Sequence, residues 1–258
     1  MRQGSRSTAR PGAAYTMLEV MLVIAILGLI AALAAPNLLG EIQRRRLYTS
    51  ALQMRSLLEL VRYNAQFDGK RYRIRFPKEN ELDPMGGDRQ PIIEREDDPL
   101  EAPDEWNPVV APWTYGHTLL EGVWCIQVRL GRPTLESLRN PEESMTVADK
   151  LEAAFEDFEP DYPPLYVEPD GTSDWATFAL TQADRDLTAE DLDDSVVRIE
   201  VIVEGPTGMI WLQRPLYEEE LDLFEENGWP PVLRKDFFDP DPLTEDDVLE
   251  LTEESIQP

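Results

Sequence analysis

From Val20 to Ala35 the chain carries no polar side chain, and the apolar run around this stretch extends from Tyr15 to Leu39 (YTMLEVMLVIAILGLIAALAAPNLL). A helix crossing hydrocarbon needs about 20 mostly apolar residues, so the run is long enough to span a bilayer. Lipid offers backbone groups no hydrogen-bond partners, which leaves helix as the form it takes. Two residues set the run apart from a generic span. An acid such as Glu19 costs about 2.5–3.5 kcal/mol at a helix centre, less near an edge, and marks function by default. Its other reading is a carboxylate that snorkels to the interface from near the helix end. Pro36 removes a helix hydrogen bond and predicts a kink or a loosened turn. Alternatively it marks the point where the chain leaves the membrane.

The flanks bear on these readings. Gly12-Ala13-Ala14 precede Tyr15, and Thr16-Met17-Leu18-Glu19-Val20 follow it. This pattern resembles the class III signal of type IV pilins and type II secretion pseudopilins. In that family a short basic leader is removed just before an aromatic residue. The fifth residue of the mature chain is then Glu, and a proline falls near the end of the apolar helix. The resemblance implies cleavage between Ala14 and Tyr15, which puts Glu19 at the fifth position and Pro36 at the family's helix proline. It departs from the family at Ala14, where Gly is usual. The competing reading is an ordinary secretory signal, with Arg2, Arg6 and Arg10 as its basic region and Ala32-Leu33-Ala34 as a small-x-small site. Against that reading stand a long leader, an acid inside the run, and a helical pattern that continues past the supposed cut.

Charge is unevenly spread over a chain whose formal net charge is -27. Residues 1–46 hold six Arg against Glu19 and Glu41, leaving 18 basic and 49 acidic side chains, or -31, for the remainder. So acidic a surface repels phosphate backbones and disfavours nucleic-acid binding. Arg44-Arg45-Arg46 nearly balance the three arginines before the run, so basic-residue counts assign no orientation. The lone Cys125 rules out an internal disulfide framework.

Past the apolar run, Leu47, Ala51, Met54, Leu58, Val61 and Ala65 recur at spacings of four and three and draw one helical stripe, widened by Leu57 and Leu60. Asp68-Gly69 predicts the helix end. Lys70 to Phe76 alternates strictly, giving a half-buried strand with Tyr72, Ile74 and Phe76 inside and Arg71, Arg73 and Arg75 on a solvated face. Residues 77–112, punctuated by prolines, read as a long loop that Trp106 and Trp113 anchor to the domain or to a partner. Val123–Leu130 predicts a strand with Trp124, Ile126, Val128 and Leu130 on one face. Asn140-Pro141-Glu142-Glu143 opens a helix over about 141–158. Strands follow at Leu165–Val167, Trp175–Thr181, Val196–Val203 and Met209–Arg214, joined by Pro169-Asp170-Gly171 and Gly205-Pro206-Thr207-Gly208 turns. After a short helix stopped by Gly228, the carboxylate-dense stretch reads as a solvated or partly disordered tail.

LYVEPDGTSDWATFAL, VVRIEVIVEGPTGMIWL and SALQMRSLLELVRYNAQFDGKRYRIRF resemble segments of the GspH/FimT class of minor pseudopilins. The likeness covers about residues 12–78 and 163–214, and the long loop and the helix near 141–158 look like insertions.

Catalytic constellations are missing. His117 and Cys125 have no companion nucleophile motif, there is no HExxH or CxxC pair, and His and Cys are too few for zinc. Asp239, Asp241, Glu245 and Glu250 suggest a calcium loop but lack the turn glycine. No cofactor and no metal are therefore expected.

The expected fold is α+β and pilin-like: a long N-terminal helix, transmembrane in its first half, packed on an antiparallel sheet, with an acidic C-terminal extension. Its parts are a leader (1–14), a membrane and filament-core helix (15–39), its amphipathic continuation (40–67), a β domain (68–214) and the acidic tail (215–258). The resemblance implies a non-enzymatic minor pseudopilin of a type II secretion system, at the cell inner membrane with its C-terminal domain periplasmic. Its partners would be other pilins or pseudopilins, the prepilin peptidase and the membrane. Tyr15 would be N-methylated, Glu19 would meet a neighbour's amino terminus, and Gly28 would permit close helix packing. A minor type IV pilin, or a secreted acidic binding protein or enzyme behind a conventional signal, are the alternatives.

Overall fold

A computed structural model of the protein describes residues 17–77, 90–114, 118–139, 162–182, 197–227, 233–238 and 242–248, with the side chains of 30–41 outside the description. The chain divides into two units, 1–44 and 45–258, and helix α1 (Met17–Asp68) contributes to both. In the first unit every described side chain of α1 from Met17 to Leu29 is exposed.

The second unit is built around the rest of α1. Leu47, Ala51, Met54, Leu57, Leu58, Val61 and Ala65 are all buried, as their spacing predicts, whereas Leu60 stays 39% exposed beside the stripe. The helix ends at Gly69, whose φ of 66° only glycine adopts freely, and whose N–H donates to Ala65 O at 2.9 Å.

Two four-stranded antiparallel sheets pack with this stripe in one core. The first has the order β3-β2-β1-β5, from β1 (Tyr72–Arg75), β2 (Ile92–Glu96), β3 (Trp106–Pro108) and β5 (Leu165–Val167). The second runs β4-β6-β7-β8, from β4 (Trp124–Leu130), β6 (Ala176–Thr181), β7 (Arg198–Glu204) and β8 (Met209–Gln213). Alternation sends Tyr72, Ile74 and Phe76 inward from the first sheet, and Phe178, Leu180, Val201 and Leu212 inward from the second. At about 1.5–3 kcal/mol for each large apolar side chain buried, this shared core is the main source of stability. The β7–β8 turn closes at Gly208 (φ 63°), where Arg62 of α1 occupies the space a Cβ would need.

Several expectations are corrected. Residues 77–112 are not one loop, since β2 and β3 lie there and pair with β1 and with each other (Ile74↔Ile93, Arg95↔Asn107). In β4 a bulge at Ile126 shifts the register, so Cys125 and Val128 share the core and Trp124 does not join it. The arginines of β1 are not solvated: Arg73 donates to Glu94 at 2.5 Å and Arg75 at 3.1 Å, and that carboxylate is 5% exposed.

The expected pilin-like fold is itself overturned. In place of one antiparallel sheet there are two. Among the described residues no helix is long and apolar enough to cross a membrane, so the expected long helix with a transmembrane first half is not found. In α1 the side chains are described over 17–29 and again from Ile42 to Asp68, and the latter stretch carries Arg44, Arg45, Arg46, Arg55, Glu59 and Arg62.

Nor is the acidic extension merely solvated. Helix α3 (Glu218–Asn227) buries Leu221 and Phe224, and Phe224 clusters with Leu233, Phe237 and Val248. Glu220, fully buried, accepts from Arg214 at 2.6 and 2.9 Å and from the Tyr217 N–H at 2.7 Å, which is the reciprocal half of a helix capping box. Phe237 forms a parallel bridge with Gln213 and so covers part of the β8 edge. The short α2 (Leu135–Arg139) lies against α3 through Arg139, which pairs with Asp222 and Glu225. The helix expected over 141–158, Gly228 and most of the calcium-loop residues fall outside the described residues.

Truncating Phe224 to Ala should lower unfolding free energy by about 3–5 kcal/mol in chemical denaturation. Leu100→Ala, at a side chain 94% exposed, should change it by no more than about 0.5 kcal/mol. Equal, small effects from both substitutions would return the C-terminal segment to a solvated tail.

Candidate functional site

The site residues anticipated from sequence lie along the N-terminal stretch. Glu19 sits in the first turn of α1, where the helix dipole favours a carboxylate. Around it Met17 is 82% exposed, Leu18 76%, and Ile24 and Leu29 64% each. A Cβ added at Gly28 would meet nothing within 4 Å, so packing inside the chain does not require glycine there. Pro36 falls within the bounds of α1, with its side chain among those not described, and Ala14 and Tyr15 lie outside the described residues. Glu19, Gly28 and Pro36 are thus strung along one helix and do not converge on a pocket. A helix apolar on all sides is stable only when something covers it. Chemically, this segment offers an exposed apolar surface with one carboxylate near its start.

In the second unit, the first sheet turns a charged face away from the core. Arg71 pairs with Glu168 at 3.1 Å and Glu96 at 3.5 Å. The Arg73 guanidinium lies 4.7 Å from the Trp106 ring centroid, and Trp106 packs on Tyr166 at 5.5 Å. Trp106 therefore anchors its segment to the domain, one of the two roles read from sequence. Arg71 and Arg73 are matched by carboxylates, so this face is a lattice of ion pairs and not a free basic stripe.

Beside it opens a cleft of about 190 Å³, between the last turns of α1, the β1–β2 pair and the segment following β3. Tyr72 donates to Asp68 Oδ2 at 2.5 Å, and Arg95 donates to the same oxygen at 3.1 Å. Arg95 Nε donates to Asp97 Oδ1 at 2.7 Å, and Lys70 reaches that oxygen at 3.4 Å. Burial, together with the Asp68 hydrogen bond, pushes the Tyr72 hydroxyl up to about 12. Asp97 is held below its ordinary range by Arg95 and Lys70, against the opposing effect of burial. Sequence reading missed this cleft because Arg95, Asp97 and Asn107 lay in what looked like a structureless loop. A paired Ile92-Ile93 ahead of alternating charges was the one signal available.

Elsewhere, Cys125 is 1% exposed and burial raises its thiol far above the usual value, so it behaves as a small hydrophobe. Among the described residues no group of three His, Cys, Asp or Glu is placed to hold a metal ion. His117 lies outside them.

Because the folded-state value of Tyr72 exceeds that of an unfolded tyrosine, its contribution is complete below about pH 10 and is lost as pH rises toward 12. Denaturation across pH 9–12 should show a decline in stability that is shallower in Tyr72→Phe. An unchanged alkaline slope in the Phe variant would mean that the hydroxyl is not held this way.

No protein-family model, no curated protein and no solved structure matches the chain.

Proposed function

We propose that the chain is a non-enzymatic structural subunit, a minor pseudopilin of a type II secretion system, that takes part in protein export. The observation that carries this reading is the N-terminal sequence Gly12-Ala13-Ala14-Tyr15-Thr16-Met17-Leu18-Glu19, followed without interruption by apolar residues. The exposure of every described side chain from Met17 to Leu29 supports it, since such a surface calls for neighbours that cover it. On this reading a prepilin peptidase removes residues 1–14 at the cell inner membrane and Tyr15 becomes the methylated N-terminus. The apolar segment then joins a bundle of like helices, with residues 45–258 on the periplasmic side. Glu19 faces the amino terminus of a neighbouring subunit. Two opposite charges in an apolar bundle are tolerable together and costly apart, at about 3–5 kcal/mol when one partner is lost.

N-terminal sequencing of the mature protein should begin at Tyr15. A start at Ala35 or Pro36 would restore an ordinary secretory signal and sink the proposal.

Glu19→Val should still reach the membrane, yet co-purify poorly with sibling pseudopilins at matched membrane levels. Undiminished association would show that Glu19 carries no assembly contact.

A further inference from the structure

The cleft beside Tyr72 has no part in the proposed assembly role, and its chemistry is specific enough to name a class of ligand. Both hydrogen bonds to Asp68 fall on Oδ2, and both to Asp97 fall on Oδ1. Each carboxylate is thereby fixed in orientation by donors on one oxygen, with the other oxygen left as an acceptor. Arg95 holds the two carboxylates apart and in register, and its guanidinium has further N–H groups to offer. Asn107 stands exposed on the cleft wall with both an amide donor and an acceptor, while Val109 and Trp113 line an apolar part of the same cleft.

Local charge narrows the choice of ligand. Asp68 and Asp97 are balanced by Arg95 and Lys70, so the cleft is near neutral on a chain of net charge -27. A phosphate or carboxylate ligand would meet two carboxylates, and a cation would meet Arg95. Either would pay desolvation without a clear gain. What fits is a neutral molecule with several hydroxyls, each able to donate to a carboxylate and accept from a guanidinium or amide, and with C–H faces for the apolar wall. At about 190 Å³ the space is smaller than the roughly 300–1,000 Å³ of sites for drug-sized ligands, and suits one ring. We propose that this cleft binds the terminal ring of a neutral carbohydrate.

The test uses the full chain, purified in a detergent without a sugar headgroup so that nothing competes. Saturation-transfer NMR with methyl glucoside, galactoside and mannoside, together with an array of neutral and acidic glycans, reads binding directly. Saturable binding of at least one neutral pyranoside is the expected result. Asn107→Ala and Asp97→Asn should each weaken it by about tenfold, the loss of one hydrogen bond involving a polar or charged group, and Asn107→Ala, at an exposed side chain, should do so with melting unchanged. Asp170→Asn, in a turn elsewhere, should leave it unchanged. Absence of any neutral-glycan signal overturns the assignment. So does binding that ignores both cleft variants, or that is confined to sialylated or phosphorylated glycans. None of these outcomes depends on whether the chain assembles into a filament.

Discussion

The main core of the second unit is organised around one side of α1. A helix whose apolar residues recur every three or four positions can bury only a stripe. Here the stripe from Leu47 to Ala65 belongs to the same core as the inner faces of both sheets. Neither sheet reaches that core by pairing with the other, for the strand ladders stay separate as β3-β2-β1-β5 and β4-β6-β7-β8. Four-stranded sheets with one apolar face need a cover, and the helix shares in covering both. Ala51, Met54 and Ala65 are fully buried within the stripe and Leu58 nearly so.

A second constraint is charge. With about twice as many acids as bases, the protein uses its arginines where carboxylates are buried. Arg73 and Arg75 hold Glu94, Arg129 holds Glu200 at 2.7 Å, Arg234 reaches Glu204 at 2.9 Å, and Arg214 holds Glu220. Such pairs contribute little net stability over an apolar substitute, but removing one member strands the other. They therefore fix geometry: Glu94 ties β2 to β1, and Glu220 ties α3 to Arg214 after β8 and to the Leu243 N–H at 2.7 Å. Because these cations are consumed inside, the outer surface is left strongly acidic, which fits a partner surface that is apolar or basic better than one that is anionic.

Where local pattern and tertiary environment agreed, the sequence was legible. The stripe of α1, the alternation of β1, and β5 through β8 with their glycine turns follow from period and turn chemistry alone. Failures share a cause, which is polar residues that tertiary pairing brings inside. Glu94 and Glu96 made β2 read as loop until the arginines of β1 accounted for their burial, and Pro108 hid an edge strand that tolerates proline. No periodicity announces the β4 bulge. Carboxylate density concealed the few apolar residues, Phe224, Leu233, Phe237 and Val248, that fold the C-terminal segment. One motif singled out Glu19 and Pro36 in the sequence, whereas the cleft of Asp68, Tyr72, Arg95 and Asp97 needed strand pairing to appear at all.

Native-state hydrogen exchange tests the central claim, that one helix stripe holds both sheets in a single core. If it does, amides of α1 from Leu47 to Ala65, of β1 and β2, and of β6 and β7 should open at one common free energy, equal to that of global unfolding. Two distinct opening free energies, with the helix following one sheet while the other exchanges independently, would contradict it.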